Sequence, residues 1–316
     1  MTVGIASSSR YRLVSMVRIS DNASLVRILR CSAIQFFTST LLVGGFLLLS
    51  SMPHLAQQPS AAPDPGASEE DLQKATQNPV ASLISVPFQN NTDLNAGSFA
   101  RDKNTLNVQP VIPMQLGNSW NLIPRIITPI VFAPDYSQAH LGTFGLGDIA
   151  PTFFFAPRKA SKLIWGVGPS FLLPTATDDN LGTGKFCIGP AVVALVQPGH
   201  WTLGALTSNV WSVAGPSDRP DINSLSLQYF VNYNMKKGWF LTSSPIVSAN
   251  WNAPSGNIWL VPFGGGFGRI FKVGAQAMNG SISAYYNVVR PQPISPTWQL
   301  RLQLALLFPR MPKAAK

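Results

Sequence analysis

The sequence predicts an all-β protein, a transmembrane antiparallel β-barrel of about twelve strands, preceded by a signal peptide and a short N-terminal segment. Three observations predict this fold. Residues 298–308 alternate large apolar residues with polar or small ones, over a length that can cross a tilted bilayer. Similar strand candidates recur from Leu83 onward. The charged fraction is only 11%, whereas an ordinary soluble domain has about 25%.

Residues 1–56 have the pattern of a leader with a signal peptide. Five arginines precede the apolar run 33–52, and Pro53 and Ala56 follow it. A single uncleaved membrane helix is the alternative, because about 20 apolar residues can span a bilayer. Export through the signal peptide would place the protein in the outer membrane. Its expected partners there are membrane lipid and the barrel assembly machinery.

Residues 57–82 are predicted to form a linker and a short helix. The linker is rich in Pro, Ala and Gln. Ser68 is placed as a helix cap, acidic residues fill the first turn, and the helix would end near Thr76. This segment could sit in the periplasm or partly plug the barrel, and an unstructured tail explains it equally well.

The barrel itself is predicted over residues 83–308, and residues 309–316 form a C-terminal tail. The strand candidates are 83–89, 106–116, 120–132, 146–156, 163–173, 185–196, 201–211, 225–234, 239–251, 258–269, 278–289 and 298–308. The last is predicted to close the sheet against the first. Prolines in the second candidate remove ladder donors. Glycines in the tenth predict a bend or the close approach of another segment.

Aromatic residues at the strand ends predict two girdles at the membrane surfaces. Trp201 and Trp211 share one face, and ten steps of about 3.3 Å at a tilt near 45° span roughly 23 Å. That height matches an apolar band about 25 Å tall. The predicted girdle consists of Trp120, Trp165, Trp201, Trp211, Trp239, Trp251, Trp298 and Phe308.

The predicted connectors alternate in length. Short ones follow the even-numbered strands, and most of those after odd-numbered strands are longer, beginning with 90–105, although 252–257 is barely longer than a turn. Short periplasmic turns and long outer loops are typical of outer-membrane barrels, and this order places both termini in the periplasm. A soluble β-sandwich or a lipocalin-like barrel is the alternative, because periodicity does not tell which face points inward.

Polar residues opposite the apolar face are candidates for lining the lumen. A charged side chain facing lipid at mid-depth would cost up to about 2–4 kcal/mol, which favours the inner face for the charged members. These residues could line a path for solutes or simply hold the wall of a filled barrel together. The predicted set is Asn107, Gln109, Arg125, Asp148, Gln228, Asn232, Asn250, Gln299, Arg301 and Gln303.

Other functional signals are weak. No basic cluster with interleaved aromatics supports nucleic-acid binding, and no Cys/His spacing supports a metal or other cofactor. His140, near Asp135 and Ser137, is the candidate cluster for a membrane-embedded lipid or ester hydrolase, although a solvated loop explains it better. We therefore expect a non-enzymatic protein. A structural or docking barrel without a pore is a further alternative.

Three segments, 78–91, 147–152 and 302–309, resemble a family of bacterial outer-membrane transporter barrels. That family is similar to proteins grouped with the MetA pathway of phenol degradation, some of which carry the label "neuromedin U". The resemblance covers about residues 78–309. It implies a barrel and the passage of small, hydrophobic or aromatic solutes, and it implies no binding-site residue. The long basic leader and the tail 310–316 depart from the family pattern.

Overall fold

The computed structural model describes residues 69–137, 141–159 and 162–309. Within them, helix α1 (Glu69–Thr76) precedes fifteen strands. The strands are β1 (Leu83–Ala96), β2 (Arg101–Val108), β3 (Met114–Leu116), β4 (Trp120–Pro134), β5 (Gly142–Leu146), β6 (Ala150–Pro157), β7 (Leu163–Leu172), β8 (Phe186–Val196), β9 (Trp201–Ala214), β10 (Asn223–Asn234), β11 (Trp239–Ser243), β12 (Ile246–Asn250), β13 (Trp259–Val273), β14 (Gln276–Val289) and β15 (Trp298–Pro309). No helix in these ranges is long and apolar enough to cross a bilayer. The predicted leader and the tail beyond Pro309 lie outside the described residues.

The strands form one closed antiparallel barrel. Strand β15 pairs with β1 along its whole length, from Leu83 opposite Pro309 to Leu94 opposite Trp298, as predicted. Three pairs of short strands, β2 with β3, β5 with β6 and β11 with β12, each act as one interrupted strand of the wall. Fifteen strands therefore make a twelve-strand barrel, and closure leaves no unpaired edge.

The two faces of the wall differ in chemistry. On β15, Leu302 is 44% exposed and Arg301 is 4% exposed. Asn91, which lies opposite Arg301 on β1, is buried as well. The apolar face is thus the outer one, opposite to a lipocalin-like barrel, and the wall is built to face hydrocarbon.

Aromatic residues mark both rims of this outer surface. All eight predicted girdle residues are 37–44% exposed. At one rim Trp120 and Trp165 meet edge to face, with ring centroids 6.0 Å apart. At the other rim Trp251 and Trp259 meet at 5.3 Å. Two aromatic rims around an apolar wall are the arrangement expected of a transmembrane barrel.

The connectors distinguish the two ends of the barrel. At the turn end they are residues 117–119, 158–162, 197–200, 235–238 and 274–275, with 160 and 161 outside the described residues. At the loop end they are residues 97–100, 135–141, 173–185, 215–222, 251–258 and 290–297, with 138–140 outside them. Most of the predicted alternation in connector length is present. Helix α1, the start of β1 and the end of β15 all lie at the turn end.

One predicted loop was wrong. Residues 90–105 were expected to form a long connector, but β1 runs on to Ala96 and only residues 97–100 form the turn. The polar residues of this stretch belong to the wall. The side chains of Asn90 and Asn104 on the outer face donate to each other at 2.9 and 3.0 Å, while Asn91 faces inward. Paired amides satisfy each other, which makes this polar stretch compatible with a strand.

The irregular places in the wall have local causes. The second predicted strand breaks between β2 and β3 because two prolines there remove ladder donors. The ninth breaks at Ser244 and Pro245. In the glycine-rich β13, a Cβ on Gly266 would lie only 1.8 Å from the carbonyl oxygen of Ile282 on β14. The glycines there serve close approach to β14, one of the two predicted explanations.

Candidate functional site in the barrel lumen

Apolar side chains fill the lumen toward the turn end. One cluster of buried residues consists of Val80, Ile123, Phe154, Ala156, Ala191, Val193, Leu195, Leu206 and Phe230. A second consists of Leu72, Leu83, Phe240, Ile270, Ala277, Ala305 and Leu307. Since Leu72 and Val80 precede the first strand, the N-terminal segment contributes to this filling.

Helix α1 packs against the turn end of the barrel. Its Leu72 is buried in the second cluster. The side chain of Gln73 is almost fully buried and donates from Nε2 to the carbonyl oxygens of Met235 at 3.3 Å and Trp239 at 3.0 Å. Gln197 in turn donates to the carbonyl oxygen of Lys74 at 2.8 Å. Among the described residues of this segment, α1 is therefore held against the turn end by one buried leucine and by side-chain-to-backbone hydrogen bonds.

A polar network at the barrel seam is centred on Arg301. Its Nε donates to Oδ1 of Asn91 at 2.9 Å, Nη1 to the carbonyl oxygen of Ser244 at 2.8 Å, and Nη2 to Oε1 of Gln299 at 3.1 Å. The guanidinium also lies 5.0 Å from the ring centroid of Tyr285. All three guanidinium nitrogens of this buried arginine donate a hydrogen bond. Its role is therefore to join strands β1, β14 and β15 to the break after β11.

The guanidinium of Arg125 makes fewer hydrogen bonds than that of Arg301. It lies on the inner face of β4, opposite Thr152 of β6. Its Nη2 donates to Oε1 of Gln109 at 2.7 Å, and no other described residue accepts a hydrogen bond from this guanidinium. The side chain is partly exposed, and because it faces inward, the exposed part opens into the lumen. Thr152 shares a hydrogen bond of 3.0 Å with Ser170 on the next strand.

At the loop end, Asp148 anchors the long loop 173–185. Its carboxylate accepts hydrogen bonds from the backbone N–H of Ala176, and from the N–H and hydroxyl of Thr183 at 2.6 and 2.8 Å. Arg219 from the neighbouring loop donates to three carbonyl oxygens of the same loop, including that of Thr183. Side-chain-to-backbone hydrogen bonds therefore hold loop 173–185 in place at the mouth of the barrel.

The structure brings some of the predicted lumen residues together and leaves others apart. Arg301 contacts Gln299 and shares the Ser244 carbonyl with Gln228, and Arg125 contacts Gln109. Asn232 is buried on the inner face, whereas Asn250 lies exposed at the loop end. Asp148 holds a loop rather than facing the centre of the lumen. The inner-face positions Asn107 and Gln303 make no side-chain hydrogen bond with a described residue.

Sequence reasoning missed three residues of the seam network. Asn91 and Asp93 were assigned to a loop, although Asp93 accepts a hydrogen bond from Gln299 at 2.8 Å. Tyr285 was placed on the polar face but not in the lumen set. It is fully buried, and its hydroxyl has no hydrogen-bond partner among the described residues. Continuing the two-residue alternation through β1 against the closing strand would have found the first two.

The candidate hydrolase cluster is only partly described. His54 and His140 lie outside the described residues. Asp135 accepts hydrogen bonds from the hydroxyl and the backbone N–H of Ser137, and these bonds hold the pKa of Asp135 below its ordinary value. The ring of His200 packs against Tyr233 at 6.1 Å. Among residues 69–137, 141–159 and 162–309, no three His, Cys, Asp or Glu side chains are grouped so as to hold a metal ion.

Comparison with known proteins adds information about the fold. No family model matches the sequence, and no curated protein sequence matches it either. The structure is similar to that of the COG4313 outer membrane channel from Pseudomonas putida F1, with a TM-score of 0.57, 16% identity, and coverage of 80% of this chain and 100% of that one. The outer membrane phospholipase of Salmonella typhi gives a TM-score of 0.37 at 12% identity, covering 77% and 99%. The first likeness shows that the fold is that of an outer-membrane barrel.

Proposed function

We propose that this protein is a non-enzymatic outer-membrane channel for small solutes, with its loop end outside the cell and its turn end in the periplasm. The observation that carries the proposal is the division of the wall into an apolar outer face with two aromatic rims and a polar inner belt that contains Arg125 and Arg301. Such a wall separates lipid from an enclosed hydrophilic space. Export by the signal peptide and insertion by the barrel assembly machinery belong to the same proposal.

The family resemblance supports small hydrophobic or aromatic compounds as the solutes. The similar structure from Pseudomonas putida F1, described as an outer membrane channel, is consistent with passage. Because α1 is docked at the turn end beside the second apolar cluster, a solute that moves from the polar belt toward the periplasm in this proposal must displace that helix. Passage in this proposal is therefore gated at the turn end.

A docking barrel without a pore is the second candidate, and the filled turn end favours it. Swelling of liposomes that contain the full chain separates the two functions. A channel admits small neutral solutes such as benzyl alcohol derivatives and short sugars faster than protein-free liposomes do. If swelling stays at the protein-free rate, and planar bilayers show no conductance even after α1 is destabilised, the barrel is a docking protein.

A further inference from the structure

The guanidinium of Arg125 is a charged group of the lumen that its described neighbours leave largely unsatisfied. An arginine carries five N–H donors in a fixed planar fork, and only one of them has an acceptor here. Placing a charge away from bulk water without a partner is unfavourable. We propose that Arg125 forms an anion subsite in the lumen that binds the carboxylate of a small monocarboxylic acid. This assignment rests on the proposed function, since it names the solute class of the same lumen.

Three other charged side chains of the lumen and its mouth, Asp93, Lys185 and Asp148, have partners. Asp93 accepts a hydrogen bond from Gln299 and lies directly opposite Lys103 in the register of β1 and β2. Lys185 forms an ion pair of 3.3 Å with Asp221, and the carboxylate of Asp148 is taken up by loop 173–185. No ion pair between described residues includes Arg125. Its single side-chain hydrogen bond is the one to Gln109, whereas Arg301, the other arginine of the polar belt, makes three.

A second positive charge strengthens the site. Arg301, on the inner face of β15, belongs to the same polar belt of the lumen. Arg301 is held in place by three hydrogen bonds and cannot turn away. Two fixed positive charges in a lumen enclosed by a low-dielectric wall concentrate their field there and attract anions.

The surroundings of Arg125 fit a carboxylate with a small apolar part. The planar guanidinium matches a carboxylate in a bidentate arrangement, which a spherical ion such as chloride cannot adopt. The hydroxyls of Thr152 and Ser170 lie on the adjacent strands as further polar groups. Ile123 and Phe154, two residues toward the turn end on β4 and β6, belong to the buried apolar cluster that bounds the polar belt on that side. Benzoate and short aliphatic monocarboxylates combine both features.

Calorimetric titration of the folded full chain in a neutral detergent tests the subsite without requiring flux. The probes are benzoate, its neutral analogue benzyl alcohol, and chloride. We expect benzoate to bind, and Arg125→Met to weaken that binding about tenfold or more, because a charge-assisted bidentate contact is lost. Arg125→Lys should recover part of the affinity, since it restores the charge but not the fork. The matched control is Arg269→Met, because Arg269 lies on the outer face at the turn end against Trp239.

The outcomes separate the subsite from the channel. Benzoate binding that is equal in wild type and Arg125→Met, benzyl alcohol or chloride binding as tightly as benzoate, or no benzoate binding at all would each overturn the subsite. Each of these results leaves the channel standing if liposomes still swell. Benzoate binding that depends on Arg125, in a protein that gives no flux, would support the subsite and overturn the channel. Heat-dependent migration of each variant in gel electrophoresis verifies that the barrel is folded.

Discussion

Arg301 on the last strand and Asn91 on the first strand are joined across the barrel seam, with the guanidinium Nε 2.9 Å from the amide Oδ1. The two residues face each other directly in the register of β1 and β15. The same guanidinium reaches the carbonyl of Ser244 at the break between β11 and β12. The buried side chain of Arg301 thus links the seam between β1 and β15 to the break between β11 and β12.

Replacing Arg301 should weaken the barrel. Arg301→Met preserves length and apolar volume but removes one donor each to Oδ1 of Asn91, Oε1 of Gln299 and the Ser244 carbonyl. Weaker bonds from Gln89 to Asn91 and from Gln228 to Ser244 remain, at 3.3 and 3.4 Å. Hydrogen bonds from a charged group contribute about 1.5–3 kcal/mol each and are not additive, so we expect a loss of about 3 kcal/mol in the free energy of unfolding. Urea unfolding in lipid vesicles, followed by tryptophan fluorescence, measures it.

Arg269→Met is the control for this experiment. Arg269 lies on the outer face, donates to the carbonyl of Lys237 at 3.3 Å and stacks 5.4 Å from the ring of Trp239. An exposed cation–π contact contributes about 1 kcal/mol or less. Equal losses for the two arginine variants would show that Arg301 does not act through its buried network.

The sequence predicted the wall better than it predicted the contents of the lumen. Alternation with a period of two is local, and it placed all twelve barrel strands, including the closure of β15 on β1. The contacts of Arg301 depend on strand register and on a break at Ser244, and neither is encoded in local alternation. Polar residues in β1 were assigned to a loop because a strand with polar groups on both faces lacks the expected pattern.

Adjacent residues on β10 should respond oppositely to a new charge. Leu227 pairs with Thr207 on the outer face, between the rims formed by Trp201 and Trp211, whereas Ser226 faces the lumen. Leu227→Arg should reduce the free energy of unfolding by about 2–4 kcal/mol, because the arginine faces hydrocarbon near mid-depth. Ser226→Arg should change it by about 1 kcal/mol or less. Unfolding in vesicles measures both, and a larger loss for Ser226→Arg would reverse the assignment of the two faces.

Removing the Asp148 carboxylate should free loop 173–185. Asp148→Ala deletes the acceptor for Ala176 N–H and for both donors of Thr183. We expect a loss of on the order of 2–3 kcal/mol in local opening free energy, since hydrogen bonds to a charged group are among the stronger ones. Amide hydrogen exchange of the 173–185 peptide measures the effect.

Asp179→Ala is the companion variant within the same loop. Asp179 accepts a hydrogen bond from Arg219 through its backbone carbonyl, so truncation of its side chain leaves the Arg219 contacts unchanged. Exchange of the loop peptide should therefore stay at the wild-type rate in Asp179→Ala. If Asp148→Ala also exchanges at that rate, Arg219 alone holds the loop.

Loosening helix α1 should increase conductance. The double change Leu72→Ala and Gln73→Ala removes the apolar contact of α1 with the second cluster and both hydrogen bonds to the carbonyls of Met235 and Trp239. Truncating a buried leucine costs about 2–5 kcal/mol, which favours the undocked helix by more than tenfold. Single-channel recording in planar bilayers should show larger or more frequent openings than in wild type.

Glu70→Ala provides the comparison for the helix experiment. Glu70 forms an exposed ion pair of 3.1 Å with Lys74 within the helix, and such pairs contribute only about 0.3–0.5 kcal/mol. This variant should therefore conduct like the wild type, while the double variant conducts more. Identical traces from all three proteins would show that α1 does not control passage, and the resistance would then lie in the apolar clusters of the wall itself, around Ile123 and Phe154.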